Sequence, residues 1–116
     1  MRIKMKKNND AKKMYRNKNE ECKLNLNEFK SLINSCKDIV ILDVRSTQEF
    51  LEWHIDNAIN IPEYEISKRI EEIIKDKNTE IIIYCQHGIR SEKAYKKLKK
   101  IGYSNIFILE NGIDYF

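Results

Sequence analysis

Short runs of β-branched and other apolar residues recur along this chain and constrain its fold more than any other feature. The strongest cover Ile39–Asp43 and Glu80–Cys85, and shorter ones cover Ala58–Ile61 and Ile106–Leu109. Short apolar runs without polar alternation are typical of strands that are buried on both faces. Helical segments separate these runs, so the sequence predicts an α/β fold, a parallel sheet with helices on both faces.

The segments between the runs carry helical spacing of apolar residues together with capping signals. The predicted helices cover residues 28–36, 47–53, 64–76 and 91–101. Asn27 and Ser91 are the expected N-caps of the first and last, Ser46 and Glu49 form a capping box, and Gly102 stands where a helix ends. Parallel sheets bind ligands beyond the carboxyl ends of their strands. Because Glu80–Cys85 is the expected central strand, Cys85 lies where chemistry is expected.

The charge of the chain is concentrated in its first residues. Residues 1–20 hold eight Lys and Arg against two acids, a net +6, whereas the rest hold 14 basic and 16 acidic residues, a net −2. We expect residues 1–22 to form a disordered, basic N-terminal extension and residues 23–116 to form one domain. The alternative is that the extension tethers the domain to nucleic acid or acidic lipid through its charge. The segment lacks the apolar core of a secretory signal.

Partners and compartment follow from the remaining composition. The longest apolar runs have four or five residues, so we expect no membrane-spanning segment and no membrane partner. The charge excess belongs to the extension, so we expect no nucleic-acid partner for the domain. Three cysteines without C-x-x-C or zinc-ligand spacing predict a reducing, cytoplasmic location, no metal and no organic cofactor. Plain packing or exposure is expected for Cys22 and Cys36, with a resolving thiol as the alternative for either.

The segment from Cys85 to Ser91 combines the parts that a sulfur nucleophile needs. A buried strand delivers the thiol, Gly88 permits unusual backbone angles, and a helix begins soon afterwards. The N–H groups and positive dipole end of that helix favour a thiolate, the reactive form of cysteine. Arg90 adds a permanent positive charge with donors suited to oxyanions. The pattern predicts an anion-binding cradle with a nucleophilic sulfur at its base.

Three blocks of the sequence resemble the rhodanese-like sulfurtransferase family. The segment Cys85-Gln-His-Gly-Ile-Arg-Ser91 resembles the family's C-x-x-G-x-R-S loop. A block from Leu42 to Pro62 resembles its L-D-V-R, E-[YF], G-H-I and G-A-x-N-I-P signature, and Gly102–Gly112 resembles its G-[YF] and L-x-G-G region. Trp53, Asn57 and Asn111 stand where that pattern often has glycine. Asparagine is a mild replacement because it tolerates left-handed backbone conformations, and Trp53 indicates a local change of path.

The resemblance implies a rhodanese-like fold with a five-stranded parallel sheet and a sulfur-transfer activity. A sulfane sulfur would pass from thiosulfate or a persulfide to Cys85, be held there as a persulfide, and move on to a thiophilic acceptor, which could be a protein. The amides of the anion-binding loop would hold the thiolate and the persulfide, and Arg90 would shape the loop and receive the donor. That loop comprises Gln86, His87, Gly88, Ile89, Arg90 and Ser91.

Several polar residues have structural and functional interpretations side by side. Asp43, Arg45 and His54 are expected to support the site structurally by satisfying nearby polar groups. His87 lies inside the loop, where it meets a donor or points to solvent. Two alternative functions remain open: a sulfur-relay or binding module with little turnover of its own, and a cysteine-dependent phosphatase or arsenate reductase. The spacing C-x4-R is that of the sulfurtransferases, since the related phosphatases have one residue more.

Overall fold

A five-stranded, all-parallel sheet forms the centre of the computed structural model, which describes residues 22–35, 38–114 and 116. The strands are β1 (Lys23–Leu24), β2 (Ile39–Asp43), β3 (Ile59–Asn60), β4 (Glu80–Tyr84) and β5 (Ile106–Leu109). The helices are α1 (Leu26–Ile33), α2 (Thr47–Glu52), α3 (Ile66–Ile73) and α4 (Ile89–Ile101), with a 3-10 turn at Glu63–Glu65. The strand order is β1-β5-β4-β2-β3, so the predicted central strand is confirmed.

Alternate residues of β4, and Cys85 directly after it, point into two separate cores. Ile81, Ile83 and Cys85 face the core beneath α3 and α4, which includes Ile70 and Leu98. Ile82 and Tyr84 face the core beneath α1, which contains the fully buried Phe29. Since both faces of the strand are covered, the sequence needs the uninterrupted apolar run that β4 carries. The predicted α/β class with helices on both faces is confirmed.

Two of the predicted strands, Ile39–Asp43 and Ile106–Leu109, have the observed bounds. The predicted Ala58–Ile61 strand shortens to Ile59–Asn60, and the two-residue β1 was not predicted as a strand. Helix α2 has the predicted capping box, in which Ser46 and Glu49 bond reciprocally.

The predicted N-caps of the first and last helices, Asn27 and Ser91, were both wrong. Helix α1 begins two residues early because Asn25 and Glu28 form its capping box, leaving Asn27 inside the helix. Helix α4 also begins early, at Ile89, because Gly88 adopts a left-handed conformation and takes the cap position. Ser91 therefore lies in the first turn of α4, with its side chain buried rather than capping.

The carboxyl ends of β2, β3 and β4 converge at one edge of the sheet. Asp43 of β2 pairs with both Asn60 of β3 and Tyr84 of β4. Cys85 follows directly, so the fold brings the three strand ends and the predicted loop together. Across the described ranges, no helix is long and apolar enough to cross a membrane. The predicted extension falls almost wholly on residues 1–21, which lie outside the described residues, as does Cys36.

Candidate functional site at the carboxyl edge of the sheet

The thiol of Cys85 lies at the base of the loop between β4 and α4. Its Sγ accepts hydrogen bonds from the backbone N–H groups of Gly88 at 3.0 Å and Ser91 at 3.3 Å. The residue is only 1% exposed. Two N–H donors and the positive end of a 13-residue helix converge on one sulfur atom, and both stabilise negative charge there.

Two glycines permit the path of this loop. Gly88 has φ +105°, which L side chains rarely adopt, and its turn into α4 directs its N–H toward Cys85. Gly112, at φ +77°, packs so closely on the loop that a Cβ atom there would lie 2.1 Å from the carbonyl oxygen of Gln86. The turn after β5 is joined to the loop as well, because the Ile113 N–H donates to the Cys85 carbonyl at 3.1 Å.

Arg90 is held to helix α2 rather than extending alone toward the mouth of the loop. Its Nη1 and Nη2 donate to the two carboxylate oxygens of Glu49 at 2.7 and 3.2 Å. The Arg90 bond lowers the pKa of Glu49 to about 2, against partial burial and with help from the capping bonds of Ser46. Glu49 in turn raises the pKa of Arg90. One carboxylate therefore caps α2 and fixes the arginine of the loop.

A buried ion pair lies beneath the same loop. Asp43 is fully buried and accepts from the Arg45 guanidinium at 2.8 to 3.1 Å and from its backbone N–H at 2.9 Å. Burial opposes the charge of Arg45, but the bonds and charge of Asp43 outweigh it, so the pKa of the guanidinium is raised. Arg45 also donates to the Trp53 carbonyl at 2.6 Å and to Gln86 Oε1 at 3.2 Å.

Tyr84 completes this buried cluster from β4. Its hydroxyl donates to Asp43 at 2.6 Å and accepts from the Ile55 N–H at 3.1 Å. Burial, together with the bond to Asp43, raises the pKa of Tyr84 well above its ordinary value. Nearby, His54 bonds through Nδ1 to the Phe50 carbonyl at 2.7 Å and stacks on the Phe50 ring at 3.6 Å. Arg45, paired with Asp43, thus contacts the loop through Gln86, and His54 contacts α2 through Phe50.

The outer side of the loop carries a second polar chain. Gln86 Nε2 donates to Asp114 Oδ1 at 2.6 Å, and His87 Nδ1 lies 2.5 Å from Asp114 Oδ2. The side chain of His87 is 68% exposed. Asp114 therefore ties two successive loop residues to the turn after β5.

The remaining loop residues have opposite environments. Ile89 projects outward and is largely exposed. Ser91 is fully buried, and its Oγ has no hydrogen-bond partner among the described residues.

Two of the three departures from the glycine pattern, both asparagines, have the expected left-handed backbone, and the change of path expected at Trp53 stays a prediction. Asn57 and Asn111 have φ +71° and +66°, the left-handed region that asparagine tolerates. Trp53 has φ −170°, an extended conformation open to any residue.

Three residues of this site were missed by sequence reasoning in their present roles. Glu49 was identified as a capping residue only, and its second role needs the approach of a loop 41 residues away. Asp114 carries no local signal, since its partners Gln86 and His87 come from another strand end. Gly112 was recognised as a turn glycine, but its packing against the loop appears only in three dimensions. No group of three or more His, Cys, Asp or Glu side chains arranged for a metal ion occurs in the part of the chain described.

Comparison with known proteins identifies relatives over most of the chain. The family model of the rhodanese-like domain matches residues 25–116. Bacillus subtilis YrkF, whose name describes a sulfur carrier protein, is 36% identical over 90 residues, covering 78% of this chain and 48% of that protein. Escherichia coli PspE, a thiosulfate sulfurtransferase, is 35% identical over 65 residues, covering 56% of this chain and 62% of PspE.

A solved structure described as a rhodanese with anions from E. coli has a TM-score of 0.61 and 31% sequence identity. The match covers 67% of this chain and 91% of that one. The chain spans only part of the length of these relatives: 48% of YrkF, and 23% of a protein of Erwinia tasmaniensis named tRNA uridine(34) hydroxylase, to which it is 34% identical over 80 residues.

Proposed function

Because this chain belongs to the family of rhodanese-like domains, we propose that it transfers a sulfane sulfur through a persulfide on Cys85. The donor is thiosulfate or a persulfide, and the acceptor is a thiophilic small molecule or a protein. Cys85 is the sulfur carrier, and the backbone of Gln86–Ser91 binds the anionic species. Asp43, Arg45 and His54 position that backbone.

The observation that carries the proposal is the pair of N–H donors, from Gly88 and Ser91, on the sulfur of Cys85. A thiolate must attack another sulfur for sulfane transfer to occur, and the same thiolate must leave in the second step. Donors that stabilise the anion serve both steps. The C-x4-R spacing from Cys85 to Arg90 favours this reaction over that of the phosphatase relatives.

With thiosulfate as donor, the Cys85 thiolate attacks the outer sulfur and forms an S–S bond. The bond from that sulfur to the sulfonate group breaks, and sulfite leaves with its electron pair. In the second half-reaction a nucleophile attacks the outer sulfur of the persulfide. The S–S bond breaks, its electron pair returns to Cys85, and the thiolate is regenerated without any oxidant or reductant.

Similarity to named proteins supports the choice of donor and of role. PspE is named as a thiosulfate sulfurtransferase, and the E. coli rhodanese was solved with anions, which favours an anionic donor here. YrkF is named as a sulfur carrier, which favours relay to a protein acceptor as a second candidate. Both roles need a reactive thiol, so we place the protein in a reducing compartment such as the cytoplasm.

The test is to incubate the protein with thiosulfate, measure its intact mass, and then add cyanide and follow thiocyanate. We expect one added sulfur atom on the wild type and on Cys22→Ser, the matched control. Cys85→Ser should gain none and should lose essentially all turnover. Thiocyanate formation by the wild type no faster than by Cys85→Ser would refute the proposed enzymatic activity. If the added sulfur stays on Cys85 and no thiocyanate forms, the protein has the relay role instead.

A further inference from the structure

The outward face of helix α4 carries a row of exposed side chains that begins in the loop after Cys85. The members of this α4 row are Ile89, Lys93, Lys96 and Lys100. Intervals of four, three and four residues place them on one side of the helix, while the opposite side is buried in the core. The row therefore starts beside the sulfur site and extends about 16 Å away from it along the helix.

The charges on the flanks of α4 are neutralised by neighbouring elements. Three ion pairs do this: Arg90–Glu49, Lys97–Glu63 and Lys23–Glu92. Among the residues that the structure describes, the three lysines of the α4 row form no ion pair. Uncompensated positive charge is thus left on the side of the helix that faces solvent.

The stability of the helix gives no reason for this charge. Lysines near the end of a helix complement its dipole, which accounts for Lys99 and Lys100 in the last turn. Lys93 and Lys96 lie before that turn, where the dipole offers no such gain. Like charges three and four residues apart also repel each other, so the row opposes helix formation. Binding therefore explains the row better than stability does.

The composition of the row favours a protein partner over a nucleic acid. Its first residue, Ile89, is 69% exposed, and an apolar side chain contributes to contact with another protein but not with a phosphate backbone. The row contains neither arginine, which binds phosphate bidentately, nor an aromatic residue on which a base could stack. Its lysines are complementary in charge to a surface of Asp and Glu side chains.

We propose that the α4 row is the docking surface for a partner protein that presents an acidic patch with an apolar residue at one end. Complementary charge steers such a partner toward the row and fixes its orientation. Because Ile89 belongs to the loop that follows Cys85, the apolar end of the patch comes to lie next to the sulfur site. The inference rests on the function proposed above, for which it identifies the protein that exchanges sulfur with Cys85 by its surface charge.

The test measures the binding of two dye-labelled helical peptides to the full chain by fluorescence anisotropy at low salt. One peptide presents a leucine and three glutamates at the spacing of the α4 row, and the other has glutamine in place of each glutamate. We expect the acidic peptide to bind more tightly. Lys93→Glu combined with Lys96→Glu should weaken its binding about tenfold, and Ile89→Ser about threefold. Added salt should remove most of the effect of the lysine substitutions.

Lys68→Glu combined with Lys75→Glu is the matched control. Both lysines are exposed, lie outside α4, and change the net charge of the chain by the same amount when replaced. Residues 1–21 are common to every variant, so their positive charge cancels in the comparison. Equal weakening by the two double substitutions would overturn the proposal, because overall charge would then explain the binding. Equal affinity of the wild type for the two peptides would overturn it as well.

Two further measurements locate the surface and identify the class of partner. Amide chemical shifts that change on addition of the acidic peptide should fall on residues 89–100, and changes confined to other parts of the chain would contradict the proposal. A labelled RNA of the same charge could bind more tightly than the acidic peptide and lose that binding with Lys93→Glu and Lys96→Glu. That result would assign the row to nucleic acid and overturn the protein partner.

The binding measurements need no sulfur on Cys85. Loss of peptide binding would therefore refute the docking surface, whereas the thiosulfate and cyanide assay described above refutes or supports the proposed function separately.

Discussion

Two arginine–carboxylate pairs hold the loop after β4, and they differ in burial. Asp43 and Arg45 are almost wholly enclosed, whereas Glu49 and Arg90 each leave about a third of the side chain exposed. Both pairs are bidentate or nearly so, and both connect the β2 region to the loop that contains Cys85.

The difference in burial separates two tasks. The buried pair lies away from water, so each charge depends on its partner, and the removal of one is strongly destabilising. The pair of Glu49 and Arg90, which we call the rim pair, stays hydrated, so its contribution to stability is small. We therefore expect the buried pair to matter for the stability of the fold, and the rim pair to matter for the proposed binding of an anionic donor more than for stability.

The largest effect is expected from Asp43→Asn, which keeps the shape of the side chain but leaves Arg45 buried without a counter-charge. The NH2 group of the new amide would also place its N–H donors opposite the N–H donors of the Arg45 guanidinium. We expect a loss of about 3–5 kcal/mol in the free energy of unfolding, measured by urea titration. Glu49→Gln is the matched control and should lose about 1 kcal/mol or less. Equal losses in the two variants would break the distinction by burial.

The buried strands and the Asp43–Arg45 pair could be predicted from the sequence better than the contacts of the rim pair. Ile39–Asp43 and Ile106–Leu109 were predicted to the residue because strands covered on both faces need uniform apolar runs. Asp43 and Arg45 stand two residues apart at such a strand end, so a polar contact in this part of the chain could be expected from the local sequence.

The rim depends on contacts that no local pattern encodes. Glu49 meets Arg90 across 41 residues, and Asp114 meets His87 across 27. The two-residue β1 acquires its strand character from pairing with β5 rather than from its own sequence. The predicted start of α4 was wrong because both Gly88 and Ser91 are suitable N-cap residues, and the left-handed Gly88 takes that position in the structure.

An intermediate effect is expected from Arg90→Met, which removes the positive charge of the rim pair and leaves the carboxylate of Glu49 without its arginine partner. We expect the KM for thiosulfate in persulfide formation to rise about tenfold, equivalent to about 1.4 kcal/mol, with a stability change below about 1 kcal/mol. Stopped mixing followed by intact-mass analysis measures the step.

Lys97→Met is the control for Arg90→Met. Lys97 is also on α4 and also bonds a carboxylate, that of Glu63 at 2.6 Å, but it lies seven residues, or about 10 Å, further along the helix. A rise in KM as large as that of Arg90→Met would show that overall charge, rather than the rim pair, controls donor binding.

The smallest effect is the acid dependence of the rim pair. The pKa of Glu49 is lowered in the folded protein from its ordinary 4.5 to about 2. Its carboxylate is thus favoured by folding, so its contribution is fully present above about pH 5 and is lost as the pH falls toward 2. Because the side chain is one-third exposed, screening limits the contribution to about 1 kcal/mol or less.

Unfolding titrations of the wild type and Glu49→Gln between pH 6 and pH 2.5 measure this contribution as a difference. The difference should shrink with acid, and added salt should reduce it at pH 6 since rim charges are screened. Glu52→Gln, at the exposed end of the same helix, should show no such convergence with the wild type. The stability difference between the wild type and Glu49→Gln could instead stay constant down to pH 2.5. Glu49 would then stabilise the protein through its capping bonds rather than its charge, because glutamine replaces those bonds only in part and does so equally at every pH.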